Sequence, residues 1–190
     1  MQMNDFFDDI SNVEQYIDMC KDYNPSFIIT ELKSYLKEGK TMLELGSGPG
    51  HDLKALKDLY KMTGSDRSEI FVEKLNSVSP EVPVLLIDAV SLEVKGQYDC
   101  IFSNKVLQHL TSEDMMKSIN RQLQCLNDDG IIFHTLWYGE GEESFNGLRF
   151  VYYNESSLQA LLGNQFEISM KRYTEMEEDD SILIIGKKKE

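Results

Sequence analysis

MLELGSGPGHDL, residues 42–53, places an apolar run, an internal acid, three glycines and the opening of a helical pattern in quick succession. A short apolar run that stops at glycine reads as a buried strand. Gly46, Gly48 and Gly50 then let bare backbone come close to a ligand, and the helix that follows directs its N-terminal amides at the same place. Strand, glycine turn and helix in that order open a βα unit of a wound α/β sheet.

The same alternation continues along the chain. LYKMTGSD (59–66), VPVLLID (82–88), YDCIFS (98–103) and GIIFHTLW (130–137) are strand candidates, and helical periodicity occupies 51–58, 67–76 and 112–126. This pattern predicts a mostly parallel sheet. A helix over 154–162 precedes two apolar runs, NQFEISMKRY and SILIIGKKK, separated by little more than the acidic EMEEDD. That connection has no room for a crossover helix, so the two must pair antiparallel and make a seven-stranded sheet ending in a hairpin. Residues 10–37 read as helical, with Asn24 as N-cap and Pro25 as first helical residue of a second segment. The expected organisation is one domain over 1–190, with a helical cap (1–40) on an α/β core (41–190) and a frayed KKKE end.

Composition narrows the function. A net charge of −14 repels phosphate backbones and anionic membrane surfaces, which argues against nucleic acid and membrane partners. Cys20, Cys100 and Cys125 are odd in number and lack CxxC spacing, as expected of reduced cytosolic thiols. MQMNDFFDDI carries acids where a secretion signal needs basic residues, and no apolar run reaches the length of a membrane span, so a soluble cytoplasmic protein is expected.

The glycine turn does not suit a phosphate. A nucleotide P-loop needs Gly-Lys-Ser/Thr, whereas His51 and Asp52 follow Gly50. A dinucleotide turn needs a third glycine where His51 stands, and Asp52 puts negative charge in the helix's first turn, where a pyrophosphate would sit.

The pattern acid-x-Gly-x-Gly-x-Gly, here ELGSGPG from Glu44 to Gly50, resembles motif I of the class I S-adenosylmethionine-dependent methyltransferases, whose cofactor is cationic and free of phosphate. The resemblance runs from about Gln15 to Lys188 through ELGSGPGHDL, GSD, LIDAV, SNKVLQHL, FHTLWYGEGEE, LRFVYY and YTEMEEDDS. Together these are similar to small, stand-alone bacterial enzymes of that class whose substrates are unassigned. The resemblance implies a Rossmann-like three-layer sandwich with strand order 3-2-1-4-5-7-6 and strand 7 antiparallel. It implies S-adenosylmethionine as cofactor, S-adenosylhomocysteine as product, and no metal. Gly46, Ser47, Gly48 and Gly50 would then hold the cofactor, and Glu44 would order the turn or accept from the methionine ammonium through water. Asp66 would take the ribose hydroxyls, or alternatively cap the next helix. Asp88 with Ala89 would hold the adenine, the alternative for Asp88 being an ordinary turn acid. The backbone near Asn104 would hold the ammonium. SNKV stands where enzymes methylating bases or glutamine have Asn-Pro-Pro-Tyr, which weakens a base-flipping function.

For the acceptor, a small molecule or a short exposed side chain is expected, bound by a monomer or homodimer. His109 is read as a proton acceptor or as a packing residue beside the next helix. Trp137 begins WYGEGEES, read as a lid over a cation-tolerant pocket or as a solvated loop. Arg149 either binds an acceptor carboxylate or pairs with surface acids, with Tyr153 nearby in LRFVYY; Tyr16 and Tyr23 either close over the methionine end or join the core. EMEEDD lacks the spacing of a calcium loop, and no metal is assigned. The alternatives to an enzyme of this class are a non-catalytic cofactor- or partner-binding protein and a nucleotide-dependent oxidoreductase.

Overall fold

The structure, a computed structural model, describes residues 6–189. Residues 1–5 of the expected cap and Glu190 of the closing KKKE lie outside the described residues. The chain forms two compact units that divide after Asp88.

In the first unit, α1 (Ile10–Met19) begins where the Asp9 carboxylate accepts from the Ser11 amide at 2.8 Å, and α2 spans Ser26–Tyr35. The second helix starts one residue later than expected. Pro25 takes the N-cap position, and the Asn24 side chain still accepts from the Ser26 amide at 3.0 Å. β1 (Thr41–Leu45) is followed by the glycine turn, α3 (His51–Leu56), β2 (Lys61–Asp66), α4 (Glu69–Val78) and β3 (Val84–Leu86). β2 pairs parallel to both β1 and β3. β3 is shorter than VPVLLID suggested, because Pro83 has no N–H for the ladder, although its carbonyl accepts from Gly64 at 2.9 Å. The expected helical cap contacts α4 and the glycine turn: Phe7 and Tyr16 meet edge to face at 5.2 Å, and Tyr16 lies 6.3 Å from Phe71.

The second unit contains β4 (Tyr98–Asn104), a 3-10 turn at Leu107–His109, α5 (Ser112–Cys125) and β5 (Leu126–Trp137). It continues with β6 (Glu142–Phe145), β7 (Leu148–Val151), α6 (Glu155–Leu162), β8 (Phe166–Tyr173) and β9 (Ser181–Lys188). Thr111 caps α5 by accepting from the Asp114 amide at 3.1 Å, and Asn154 with Ser157 forms a capping box on α6. β4 and β5 are parallel, β9 runs antiparallel to β5, and β8 pairs antiparallel with β9. Phe133, Leu136, Ile182, Leu183 and Ile184 on β5 and β9 are fully buried, each contributing about 1.5–3 kcal/mol through loss of apolar surface to water.

The sheet order is β3-β2-β1-β4-β5-β9-β8. With β8 and β9 as the sixth and seventh sheet strands, this is the order the resemblance implied, antiparallel strand included. β6 and β7 were not anticipated. They form a separate antiparallel hairpin, with Phe145 opposite Leu148, so GEGEES is not irregular loop throughout. Asn146 and Gly147 at its tip have φ of 51° and 82°, the left-handed pair that a two-residue turn of this hand requires. Among the described residues Cys20, Cys100 and Cys125 form no disulfide. Among the described residues no helix is long and apolar enough to cross a membrane.

Candidate functional site

Within the first unit, the residues around the glycine turn form one hydrogen-bonded group. Gly46, Gly48 and Gly50 have φ of 66°, 48° and 81°, so the chain passes through left-handed conformations that a side chain would resist. Gly50 also lies against α4: a Cβ there would stand 2.4 Å from Leu75 Cδ2. The Asp66 carboxylate at the end of β2 accepts from the Gly48 amide at 2.8 Å and from the Ser68 amide at 2.9 Å. It therefore holds the turn and also shapes the entry to α4. The Arg67 amide also donates to it; a carboxylate has about four lone-pair sites, so three amides leave acceptor capacity for one further hydroxyl group. Glu44 is buried inside β1 and accepts from Ser47 Oγ at 2.9 Å, the polar neighbour a buried acid demands. Ser47 Oγ in turn accepts from the Ser65 amide at 3.2 Å.

Asp52, in the first turn of α3, is a third buried acid and accepts from Tyr23 Oη at 2.7 Å. Burial and then the Asp52 charge push the Glu44 carboxyl well above its usual range. Burial raises Asp66 as well, against the pull of its amide donors. Among the described residues neither Glu44 nor Asp66 forms an ion pair. Three acids thus crowd around the glycine turn, an arrangement that added negative charge would aggravate and positive charge relieves. Tyr16 joins this group, its ring 3.7 Å from where a Gly48 Cβ would stand. Asp88 is exposed just beyond β3.

The second unit gathers a different set. Asn104, at the end of β4, accepts from Thr135 Oγ1 at 2.5 Å, and Ala89 O accepts from Ser118 Oγ at 2.6 Å. His109 Nδ1 lies 2.6 Å from the Arg149 carbonyl. A carbonyl only accepts, so Nδ1 carries the proton and the lone pair of the neutral ring is on Nε2, the tautomer a proton acceptor needs. The same ring meets Phe150 edge to face at 4.7 Å. Gln108 is buried and accepts from the Trp137 amide at 3.0 Å, while the Tyr153 amide donates to the Trp137 carbonyl at 3.2 Å. His109, Trp137, Arg149 and Tyr153 are therefore joined through the backbone of β5, β7 and the 3-10 turn. The Arg149 guanidinium pairs with Glu142 across the hairpin at 2.9 Å, exposed on both sides. Tyr153 is 6% exposed, and its hydroxyl has no hydrogen-bond partner among the described residues.

Lys105 was not singled out from the sequence. It follows Asn104 with φ of 58°, and its ammonium donates to Leu136 O (3.0 Å) and Ser181 Oγ (2.6 Å) and pairs with Glu175 (3.2 Å). It also sits 3.6 Å from the centroid of the Trp137 ring. Burial holds its pKa down at about 8. Nothing in SNKV distinguishes this lysine from a solvated one, because its partners are contributed by β5, β9 and the turn before β9. That turn is organised by Asp180, which accepts from the Glu175, Met176 and Glu177 amides at 3.0, 2.9 and 2.9 Å.

Comparison with known proteins identifies the family. Residues 21–165 match the family described as "Methyltransferase domain". A tRNA (carboxymethyluridine(34)-5-O)-methyltransferase of Saccharomyces cerevisiae is 28% identical over 127 residues, 66% of this chain and 45% of the yeast protein. Phosphoethanolamine N-methyltransferase 1 of Triticum aestivum is 30% identical over 124 residues, 61% of this chain and 24% of the wheat protein. The chain thus spans less than half the length of either relative. Among solved structures, 1,6-didemethyltoxoflavin-N1-methyltransferase of Burkholderia thailandensis, with bound 1,6-didemethyltoxoflavin and S-adenosylhomocysteine, superposes with a TM-score of 0.79 at 16% identity, covering 95% of this chain and 85% of that one. The solved structure shares the fold of this chain, and the family match takes in well over half of the residues, so the chain belongs to the methyltransferase domain family.

Proposed function

We propose that the protein transfers a methyl group from S-adenosylmethionine to a small-molecule acceptor by in-line displacement. The observation that carries this reading is the set of three buried acids, Glu44, Asp52 and Asp66, around a left-handed glycine turn. That combination suits a ligand with a sugar and a positive charge and disfavours a pyrophosphate. When bound, the cofactor supplies a methyl group on a sulfonium with a neutral leaving group. On this reading Gly46, Ser47, Gly48 and Gly50 offer backbone to it, Asp66 accepts from the ribose, Asp88 with Ala89 serves the adenine, and Glu44 and Asn104 serve the methionine end. Tyr16 lies against the turn and Tyr23 bonds to Asp52 from the N-terminal helices, which supports reading residues 1–40 as a cap within one catalytic domain.

The leaving group is already activated, so orientation supplies much of the rate and a strong base is not required. His109, protonated on Nδ1, is the proposed proton acceptor for an acceptor hydroxyl or amine, with Trp137, Arg149 and Tyr153 as acceptor-binding residues. The net charge of −14 favours a small molecule over a nucleic acid. Calorimetric titration with S-adenosylhomocysteine tests the reading: heat of binding is expected from the parent, with affinity lowered about 10- to 100-fold in Asp66→Ala. No heat from the parent, or stabilisation by NAD instead, would overturn it. Binding without methyl transfer to any component of a broad metabolite extract would select the non-catalytic alternative.

A further inference from the structure

Trp137 is the chain's one tryptophan, and its indole is half-buried at the end of β5. Its cross-strand neighbours are Ser181 on β9 and, beyond that, Tyr173 on β8. The Lys105 ammonium lies among these residues, 3.6 Å from the indole centroid and 5.4 Å from that of Tyr173. Its donors are directed to Leu136 O, Ser181 Oγ and Glu175. Among the described residues no aromatic ring and no other cation meets the indole.

A cation is attracted to an aromatic face by the negative charge of the ring's quadrupole. In this protein that attraction is already satisfied internally. The ammonium is the end of the Lys105–Glu175 pair that meets the ring, so it draws π density toward itself and leaves the rest of the indole a poor partner for a second positive charge. An electron-rich or anionic ring, stacked on the indole, gains from the same field.

We propose that Trp137, polarised by Lys105, is the specificity-determining platform of the acceptor site, and that it selects a planar neutral or anionic ring over a cationic amine. This revises the expectation of a cation-tolerant pocket behind WYGEGEES. It rests on the methyltransferase reading for its biological setting, but the platform is measurable without it. Lys105 acts here as a positioning residue, orienting and polarising the indole.

With a single tryptophan, its emission reports the platform directly. The full chain is titrated separately with 4-hydroxybenzoate and N-methylpyridinium, two planar rings of similar size and opposite charge. The parent is expected to bind the benzoate at least about tenfold more tightly. Lys105→Arg should keep that preference, and Lys105→Met, which leaves Glu175 as the local charge, should abolish or invert it. If Lys105→Met does not fold, Glu175→Gln decides: it retains the ammonium without its counter-charge, so the preference for the benzoate should widen. Equal or tighter binding of N-methylpyridinium by the parent, no emission change with either probe, an unchanged ratio in Lys105→Met, or a narrowed one in Glu175→Gln would each overturn the proposal. S-adenosylhomocysteine calorimetry on the same parent sample separates the two readings. Cofactor binding without the ring preference refutes the platform alone, whereas the ring preference without cofactor binding refutes the methyltransferase assignment alone.

Discussion

His134 should make the fold acid-sensitive by an amount set by one chain of hydrogen bonds. The residue is fully buried in β5, with Nδ1 2.8 Å from Ser103 Oγ and Nε2 2.7 Å from Gln122 Oε1. Gln122 uses its amide nitrogen to donate to Ser118 Oγ at 3.1 Å, and Ser118 donates to Ala89 O at 2.6 Å. Gln122 Oε1 must therefore accept from His134 Nε2–H, which makes Nδ1 the acceptor of the Ser103 hydroxyl. Every link is satisfied with the imidazole neutral, and a second ring proton would confront the Ser103 hydroxyl and turn it out of the chain. Burial accordingly lowers the His134 pKa to about 3. The unfolded chain takes up this proton near its ordinary pKa of about 6.5, so the stabilisation is present above that value and is lost as pH falls toward 3. Between about pH 7.5 and about pH 5 the unfolded state gains nearly one proton that the native state refuses, and the loss is about 2 kcal/mol. Urea unfolding of the parent and of His134→Gln at both pH values measures it. Glu44 and Asp66, whose carboxyl pKa values burial raises, push the other way in acid, but they do so in both proteins and cancel in the difference. The parent should lose about 2 kcal/mol more than the variant. Equal losses would refute the neutral, fully directed chain.

Gly50→Ala combines a left-handed backbone with a 2.4 Å approach to Leu75, and should cost about 2–4 kcal/mol in urea unfolding. Gly141→Ala, at φ of 85° with nothing within 4 Å, should cost only about 1–2 kcal/mol; equal costs would refute the role of Leu75. Glu44→Gln keeps an acceptor for Ser47 while removing a buried acid whose ionisation is disfavoured. It should raise the melting temperature at pH 8, with a smaller gain at pH 5, and weaken S-adenosylhomocysteine binding about tenfold; a lowered melting temperature at pH 8 would count against the burial argument. Emission from Trp137 should titrate with a midpoint near pH 8 as Lys105 loses its proton, in a setting that also includes Glu175, Asp180 and Tyr173. A flat profile in the parent, or the same profile in Lys105→Met, would exclude Lys105 as its source.

The glycine turn was legible because its requirements are local. Only glycine takes positive φ at no cost, so Gly46, Gly48 and Gly50 announced the turn, and Asp66 stood at a strand end that apolar patterning had already located. The β6–β7 hairpin was equally legible in Asn146-Gly147, but the acidic residues before it drew the reading toward a lid. Lys105 left no local sign, since a lysine's burial depends on what the rest of the chain brings to it.

Period, punctuation and charge along the chain determined the strand sequence, the antiparallel end of the sheet and the chemical character of the glycine turn, all of which are set by neighbours a few residues apart. The tertiary structure decided which acids are buried together, which histidine nitrogen carries a proton, and that Trp137 already has its cation. These depend on strands brought side by side from distant parts of the sequence, where burial and hydrogen-bond direction, absent from any single stretch, govern ionisation.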